Sequence, residues 1–498
     1  MSNERIHNQS LRSKIISAEE AARLIKDGMN VATSGFTPSG YPKAVPLALA
    51  KRAEGGERIK INLLTGASVG DELDGALTRA GVINRRLPYQ TNESLRKAIN
   101  AGEVMYTDLH LSHVAQQTRY GFFGKIDVAI VEAALITQEG YLIPTTSVGN
   151  TPSYVQQAEM VIVEVNISQP LELEGMHDIY IPADPPHRLP IPLKKAADRI
   201  GTPYIPCSPE KIAAIVITDI KDRVRPLAPV DEISKRMANN LIEFFQFEVR
   251  KGRLPKNLLP LQSGVGSVAN AILAGLVDSS FENLDFYSEV IQDSVFDLID
   301  AGKIRIASGT SLTPSAEGLV RFYNNINHYR EKIILRPQEI SNNPEIARRI
   351  GSISMNTAIE VDIYGNVNST HIMGSRMMNG IGGSGDFTRN AYLSIFATES
   401  IAKDGAISSI VPMVSHVDHT EHDVHVIITE QGVADLRNLS PRERARVIIN
   451  NCAHPDYRPM LLDYLDRAER EVGAHTPHLL NEALSWHIRF MQHGSMKP

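Results

Sequence analysis

Short apolar runs rich in β-branched residues recur along the chain: NVATSGF at 30–36, INLLTGAS at 61–68, DVAIVEAALI at 127–136, MVIVEVN at 160–166 and KIAAIVIT at 211–218. Stretches of helical periodicity lie between them, and this alternation predicts βα units on parallel sheets, an α/β fold. Ser17 with Glu20 three residues later reads as a capping box opening a helix over AARLIKDG, with Gly28 as its stop. A longer helix is expected over EISKRMANNLIEFFQFEV, 232–249.

The pattern also repeats at long range. SGFTPSGYPKAVPLALAKR, INLLTGAS and ALTRAGVI in the first part have counterparts in SGVGSVANAILAGL, LDFYSEVIQDS and DLIDAGKI further on. VAIVEAALITQEGYLIPTTSVGN and TAIEVDIYGNVNSTHIMGS form a second pair, each a strand, a Gly-centred turn and a second strand. Two similar α/β domains in the same order are expected, with the join in the charged, Pro-containing connector TDIKDRVRPLAPVDE at 218–232. This gives domains 1–222 and 223–498. Glu289 then falls where the first half has Thr65 or Gly66, so its carboxylate is an addition to one half only, and the cleft between the halves is the expected site.

Composition narrows the function classes. The 498 residues carry a formal charge of −6 with Lys and Arg scattered, which argues against a nucleic-acid or anionic-membrane partner. Cys207 and Cys452, the two cysteines, are too few for a disulfide framework, and with no signal-like apolar segment in MSNERIHNQSLRSK the expected location is the cytoplasm.

Glu289, in YSEVIQD, stands where a strand ending near Ser288 hands over to a helix beginning around Gln292 to Ser294. A lone Glu is most often a solvated loop carboxylate, but Phe286, Tyr287, Val290 and Ile291 beside it favour a partly desolvated one with a raised pKa. The segments SGVGSVANAIL (263–273) and MMNGIGGSGDFTRNA (377–391) lack the GK[ST] of a P-loop. GVGSVA fits a dinucleotide fingerprint, tight turns are the plainer explanation, and in both cases freed backbone N–H groups can converge on a negatively charged oxygen. His416, His419, His422 and His425 recur every third residue, which suits neither a helix face nor an alternating strand. A polar loop is the simpler reading, and a metal-dependent hydrolase built on them is the competing one. No GxSxG elbow supports a serine acyl-enzyme.

Taken together, LLPLQSGVGSVANA, YSEVIQD, LRPQEISNNPEIARR, DIYGNVNSTH, MNGIGGSGDFTRNAYLSIF, IVPMVSHVDHTEHDVHVIITEQGVADLR and CAHPDYRPML resemble the acetyl-CoA hydrolase/transferase family of class I CoA-transferases over nearly the whole chain. The resemblance implies two similar α/β domains around an interdomain site, usually in a homodimer. It implies exchange of CoA between succinyl-CoA and acetate, with coenzyme A and acyl-CoA as substrates and no resident cofactor or metal. Acyl-CoA hydrolysis through the same intermediate remains the alternative. Glu289 is implied as the nucleophile and the backbone N–H groups of Val265 and Gly383 as oxyanion donors. Gly264, Val265, Gly266, Ser267, Val268, Ile359, Asn379, Gly383 and Lys403 are implied as CoA contacts, and Arg223, Asn342 and Glu430 as neighbours of the acyl and carboxylate groups. Arg376 and Arg389 are left without a role. Ser267 departs from an Asn common in the family, and Gly309 from an Ala or Ser, the latter expected to touch only local packing.

Overall fold

The computed structural model describes residues 2–67, 70–224 and 230–498. The first sheet is built from β1 (Asn30–Thr33), β2 (Ile61–Leu64), β3 (Ile83–Leu87), β4 (Met105–Tyr106), β5 (Val128–Ala133), β6 (Met160–Asn166) and β7 (Ile212–Thr218), all parallel, in the order β4-β3-β2-β1-β5-β6-β7. The second takes β8 (Leu261–Ser263), β9 (Leu284–Tyr287), β10 (Ile304–Gly309), β11 (Ile333–Leu335), β12 (Ile353–Thr357), β13 (Leu393–Ala397), β14 (Val426–Thr429) and β15 (Gly432–Asp435). Its order is β11-β10-β9-β8-β12-β13-β14-β15, so the first seven strands repeat the first sheet and only β15 is added, antiparallel to β14. The central strands are buried along their length, as a sheet covered on both faces requires.

The ladders fix the equivalence that sequence left open. Leu64 of β2 faces Leu87, and the next amide, Thr65 N, donates to Leu87 O at 3.1 Å. Tyr287 of β9 faces Ser308, and Ser288 N donates to Ser308 O at 2.9 Å. Thr65 therefore corresponds to Ser288, and Gly66 to Glu289. The second repeated pair also holds: the short hairpin Leu135–Ile136 with Leu142–Ile143 follows β5, and Glu360–Asp362 with Val367–Asn368 follows β12.

The helices that matter here are α1 (Ala18–Ala22), α2 (Ala44–Glu54), α3 (Glu93–Asn100), α4 (Leu111–Arg119), α5 (Glu232–Arg250), α6 (Ser267–Ala274), α7 (Asp293–Asp300) and α8 (Ser384–Thr388). The capping box of Ser17 and Glu20 is formed, but α1 stops at Ala22 and does not run to Gly28. Leu24 N and Ile25 N turn back to the carbonyls three residues earlier, which tightens the chain and buries Ile25.

Each half has a core of its own, one within residues 21–216 and one within 361–496, and further clusters are shared between them. One apolar cluster joins Ala32, Ala129 and Val163 of the first sheet to Leu261, Phe286 and Ile353 of the second. Another packs Ile191 and Leu193 against Tyr287 and Ile306. Buried ion pairs cross as well, Arg119 to Glu339 at 2.7 Å and Arg336 to Asp178. Of the connector, residues 225–229 lie outside the described residues. Before them, Asp222 is buried and accepts from Lys43 Nζ at 2.8 Å and Thr146 Oγ1 at 2.7 Å.

Candidate active site

Glu289 sits just past the C-terminal end of β9, at the corner where parallel sheets present their ligands. Its carbonyl accepts from Thr310 N at 2.7 Å and Ser311 N at 3.1 Å, which pins the backbone to the end of the neighbouring strand. A two-residue strand, Val290–Ile291, intervenes before α7 begins at Asp293. The side chain is only 7% exposed. Burial pushes its carboxyl up to about 7, while the Asn342 amide, donating from Nδ2 to Oε1, pulls the other way.

The source of this burial differs from the sequence expectation. Phe286, Tyr287 and Ile291 are spent on the larger cores. Only Val290 faces the site, packed with Phe36, Ala67, Tyr89 and Leu111 of the first half. Those four residues line the cavity over Glu289 together with Thr37 and the loop Asn379 to Ser384. The first half thus supplies the apolar wall that dries a carboxylate carried by the second.

The two glycine segments meet at this cavity. Gly264 and Val265 follow β8 and line it, and Gly266 has φ 111°, a backbone that a side chain would strain, just before α6. Gly383 lies so close that an added Cβ would overlap Glu289 Oε1 and Asn342 Nδ2. A buried carboxylate in one cavity with glycine-rich backbone is an arrangement suited to nucleophilic attack, with backbone N–H groups as candidate oxyanion donors.

Of the residues singled out from sequence, Glu289, Gly264, Val265, Gly383, Asn379 and Asn342 come together here. Gly266 and Val268 follow Val265, the latter in the first turn of α6, and the side chain of Ser267 lies outside what is described. Ile359 and Lys403 line a second cavity, with Arg96 and Lys97 of α3, Arg376, Ile372, Met373, Met378, Ile407 and Phe490. That cavity is about 490 Å3 against about 80 Å3 over Glu289. The two are joined through one chain segment, since Met378 lines the second and Asn379 the first.

Arg223 and Glu430 line neither cavity among the described residues. Arg223 is exposed, its guanidinium on Glu72 Oε1 at 2.6 Å. Glu430 is held at the end of β14 by Ser400 N at 2.9 Å and Gln431 Nε2 at 2.8 Å. Both were expected beside the acyl and carboxylate groups, and the structure instead engages both side chains with local partners. Gly309 does more than local packing: a methyl there would stand 3.1 Å from the Glu289 carbonyl.

The four histidines diverge. His416 stacks on His371 at 3.9 Å, and His419 is buried against Phe396 with Nε2 3.0 Å from Ser384 Oγ. His425 Nδ1 accepts from Ser394 N at 3.2 Å. No cluster of three or more His, Cys, Asp or Glu among the described residues is disposed to hold a metal ion. No helix among them is long and apolar enough to cross a membrane.

Sequence reasoning missed the first-half wall and the polar contacts that hold the glycine loop. Asp108 Oδ2 accepts from Ile381 N at 2.7 Å, and Asn100 exchanges bonds of 2.8 and 2.9 Å with Met377. Phe36 and Thr37 had a signal, since they lie in the segment echoed by SGVGS. Asp108 had none.

Comparison with known proteins adds independent findings. Residues 1–217 match the model of the acetyl-CoA hydrolase/transferase N-terminal domain, and 318–465 that of the C-terminal domain. A succinyl-CoA:acetate CoA-transferase of Clostridium kluyveri is 61% identical, over 99% of this chain and 92% of that protein. An acetyl-CoA hydrolase of Candida glabrata is 47% identical, over 99% and 97%. The crystal structure of RipA from Yersinia pestis superposes with a TM-score of 0.72 at 23% identity, covering 91% of this chain and 97% of that one.

Proposed function

Because the chain belongs to the acetyl-CoA hydrolase/transferase family, we propose that it moves CoA between succinyl-CoA and acetate by a ping-pong route through Glu289. The observation that carries this reading is a buried carboxylate, oriented by one amide, in one cavity with Gly264, Val265 and Gly383. Similarity to the Clostridium kluyveri enzyme supports the substrate pair.

In this mechanism the free carboxylate oxygen attacks the thioester carbonyl. The C–S bond breaks, CoA leaves as thiolate, and a succinyl-glutamyl anhydride forms. The thiolate then attacks the glutamyl carbonyl, expelling succinate and leaving a glutamyl-CoA thioester, and acetate reverses both steps to give acetyl-CoA. A carboxylate nucleophile suits the task, because trading acyl groups among carboxylates keeps the thioester's free energy where an ordinary ester would lose it. Val265 N–H and Gly383 N–H are assigned to the oxyanion of the tetrahedral intermediates, each worth on the order of 3 kcal/mol.

The second cavity takes the nucleotide end of CoA. Ile359 and the apolar floor accept the base, and Lys403, with Arg96 and Arg376, faces its phosphates. Arg223 and Glu430 are assigned to the carboxylate end of the acyl groups once their local ion pair and hydrogen bonds exchange. A boundary at 222/223, a homodimer and a cytoplasmic location complete the reading. Sedimentation velocity tests the dimer.

The decisive experiment is intact-protein mass spectrometry after succinyl-CoA is added without acceptor. A CoA adduct mapped to the peptide holding Glu289 is expected, and turnover without it overturns the reading. The hydrolase reading is kept open by the Candida glabrata relative. CoA release from succinyl-CoA at a rate indifferent to acetate would establish it.

A further inference from the structure

Asp386 is a buried carboxylate that the mechanism above does not use. It lies on α8, 3% exposed, and both its oxygens are held by one residue of the first half: Ser112 N donates to Oδ2 at 2.9 Å and Ser112 Oγ to Oδ1 at 2.6 Å. Asn342 stands between it and Glu289. The amide Nδ2 donates to Glu289 Oε1, Oδ1 accepts from Ser341 Oγ at 2.7 Å, and the Asn342 side chain also holds the Asp386 carboxyl down against the effect of burial. A flipped amide would set its oxygen against two carboxylates and lose the Ser341 bond.

We propose that Asp386 is a positioning residue for the nucleophile: clamped by Ser112, it locks the Asn342 amide so that one oxygen of Glu289 is held and the other is free to attack. The inference rests on Glu289 being the nucleophile. Two carboxylates sharing one donor in a dry space cannot both ionise cheaply. Burial pushes each of them up to about 7, and at Asp386 the charge of Glu289 adds to the rise. The other titratable groups around the pair are Tyr89 on the cavity wall, His110 against Gly385, His419 against Ser384, Arg389 at the end of α8, and Arg348, which donates to the Arg389 carbonyl.

The test compares D386N, S112A, S112T and E289Q with the parent, following kcat, KM for succinyl-CoA and the pH profile of kcat/KM. For D386N the expectation is a kcat about 10-fold lower, KM within about 2-fold, and an acid limb moved down by about 0.5 to 1 pH unit, because one opposing charge is gone. A merely structural role would lower activity without moving that limb. D386N with parental kcat, or with a loss and no shift of the limb, overturns the proposal. Should D386N not fold, S112A carries the test: a several-fold fall in kcat, restored by S112T, is expected, and unchanged kcat overturns it. E289Q separates the two layers. If E289Q is inactive while D386N behaves as the parent, only the role of Asp386 fails; if E289Q turns over normally, the nucleophile reading fails first.

Discussion

Position 66 and position 289 occupy the same corner of the two sheets and have opposite contents. At Gly66 the backbone is pressed against the Gly35 carbonyl so closely that even a Cβ would overlap it. At Glu289 the corner is open enough for a full carboxylate and a cavity above it. A repeated fold offers two equivalent strand ends, and here one is closed by packing while the other holds the carboxylate proposed to carry the chemistry. The closed half is still needed, because Phe36, Ala67, Tyr89 and Leu111 exclude water from the open one. The duplicated units have divided the work into a dry wall and a reactive group.

The largest effect that could break this comparison is at Glu289 itself. E289A is expected to lower transferase turnover by at least about 1000-fold with folding retained, checked by steady-state rates and circular dichroism. Next are the donors. V265P, which deletes the backbone N–H, should cost about 100-fold in kcat, whereas V265A, which keeps it, should stay within about 3-fold. G383A should resemble V265P, since its methyl would displace Glu289 and Asn342.

The matching change in the other half has a different signature. G66A should destabilise the protein by about 1 to 3 kcal/mol through overpacking against Gly35, with kcat per folded molecule within several-fold, read from denaturant melts and active-site titration. A G66A enzyme that folds normally yet is inactive would mean that the two corners are functionally equivalent after all.

The smallest effect concerns pH. The folded carboxyl of Glu289 is raised to about 7 from an ordinary 4.5, so between these values the folded state holds the proton more tightly than the unfolded one. Its contribution to stability is full below about pH 4.5 and is lost as pH rises through 7. E289Q should therefore melt about 1 to 3 °C above the parent at pH 8, with the gap narrowing towards pH 4.5. The same ionisation requires transferase activity to fall as pH drops below about 7.

Much of the architecture was legible from short-range pattern. The buried strands read as apolar runs because both faces of each sheet are covered, and the repeat predicted two related α/β halves, whose sheets share a strand order that only the structure gives. The end of α1 was not legible, because a helix can tighten before its glycine. At the site, Glu289 stood out by its apolar neighbours, but the neighbours that dry it lie more than 170 residues away, and no periodicity reports such contacts. Asp386 and Ser112 were equally silent, since a buried carboxylate is recognised by its donors and these come from the other half. Residues named from the family resemblance divided into those at the cavity over Glu289, those, Ile359 and Lys403, at a neighbouring one, and those, Arg223 and Glu430, that line neither among the described residues.

The borrowed wall has a consequence for the life of the chain. During synthesis, residues 36 to 111 emerge long before Glu289, and Gly383 follows later still. Until all three regions are docked, Glu289 is an ordinary hydrated glutamate without the burial that the proposed chemistry uses. On the proposed mechanism, reactivity is thereby born with the finished fold, and a truncated or partly unfolded molecule leaves the acyl-CoA around it untouched.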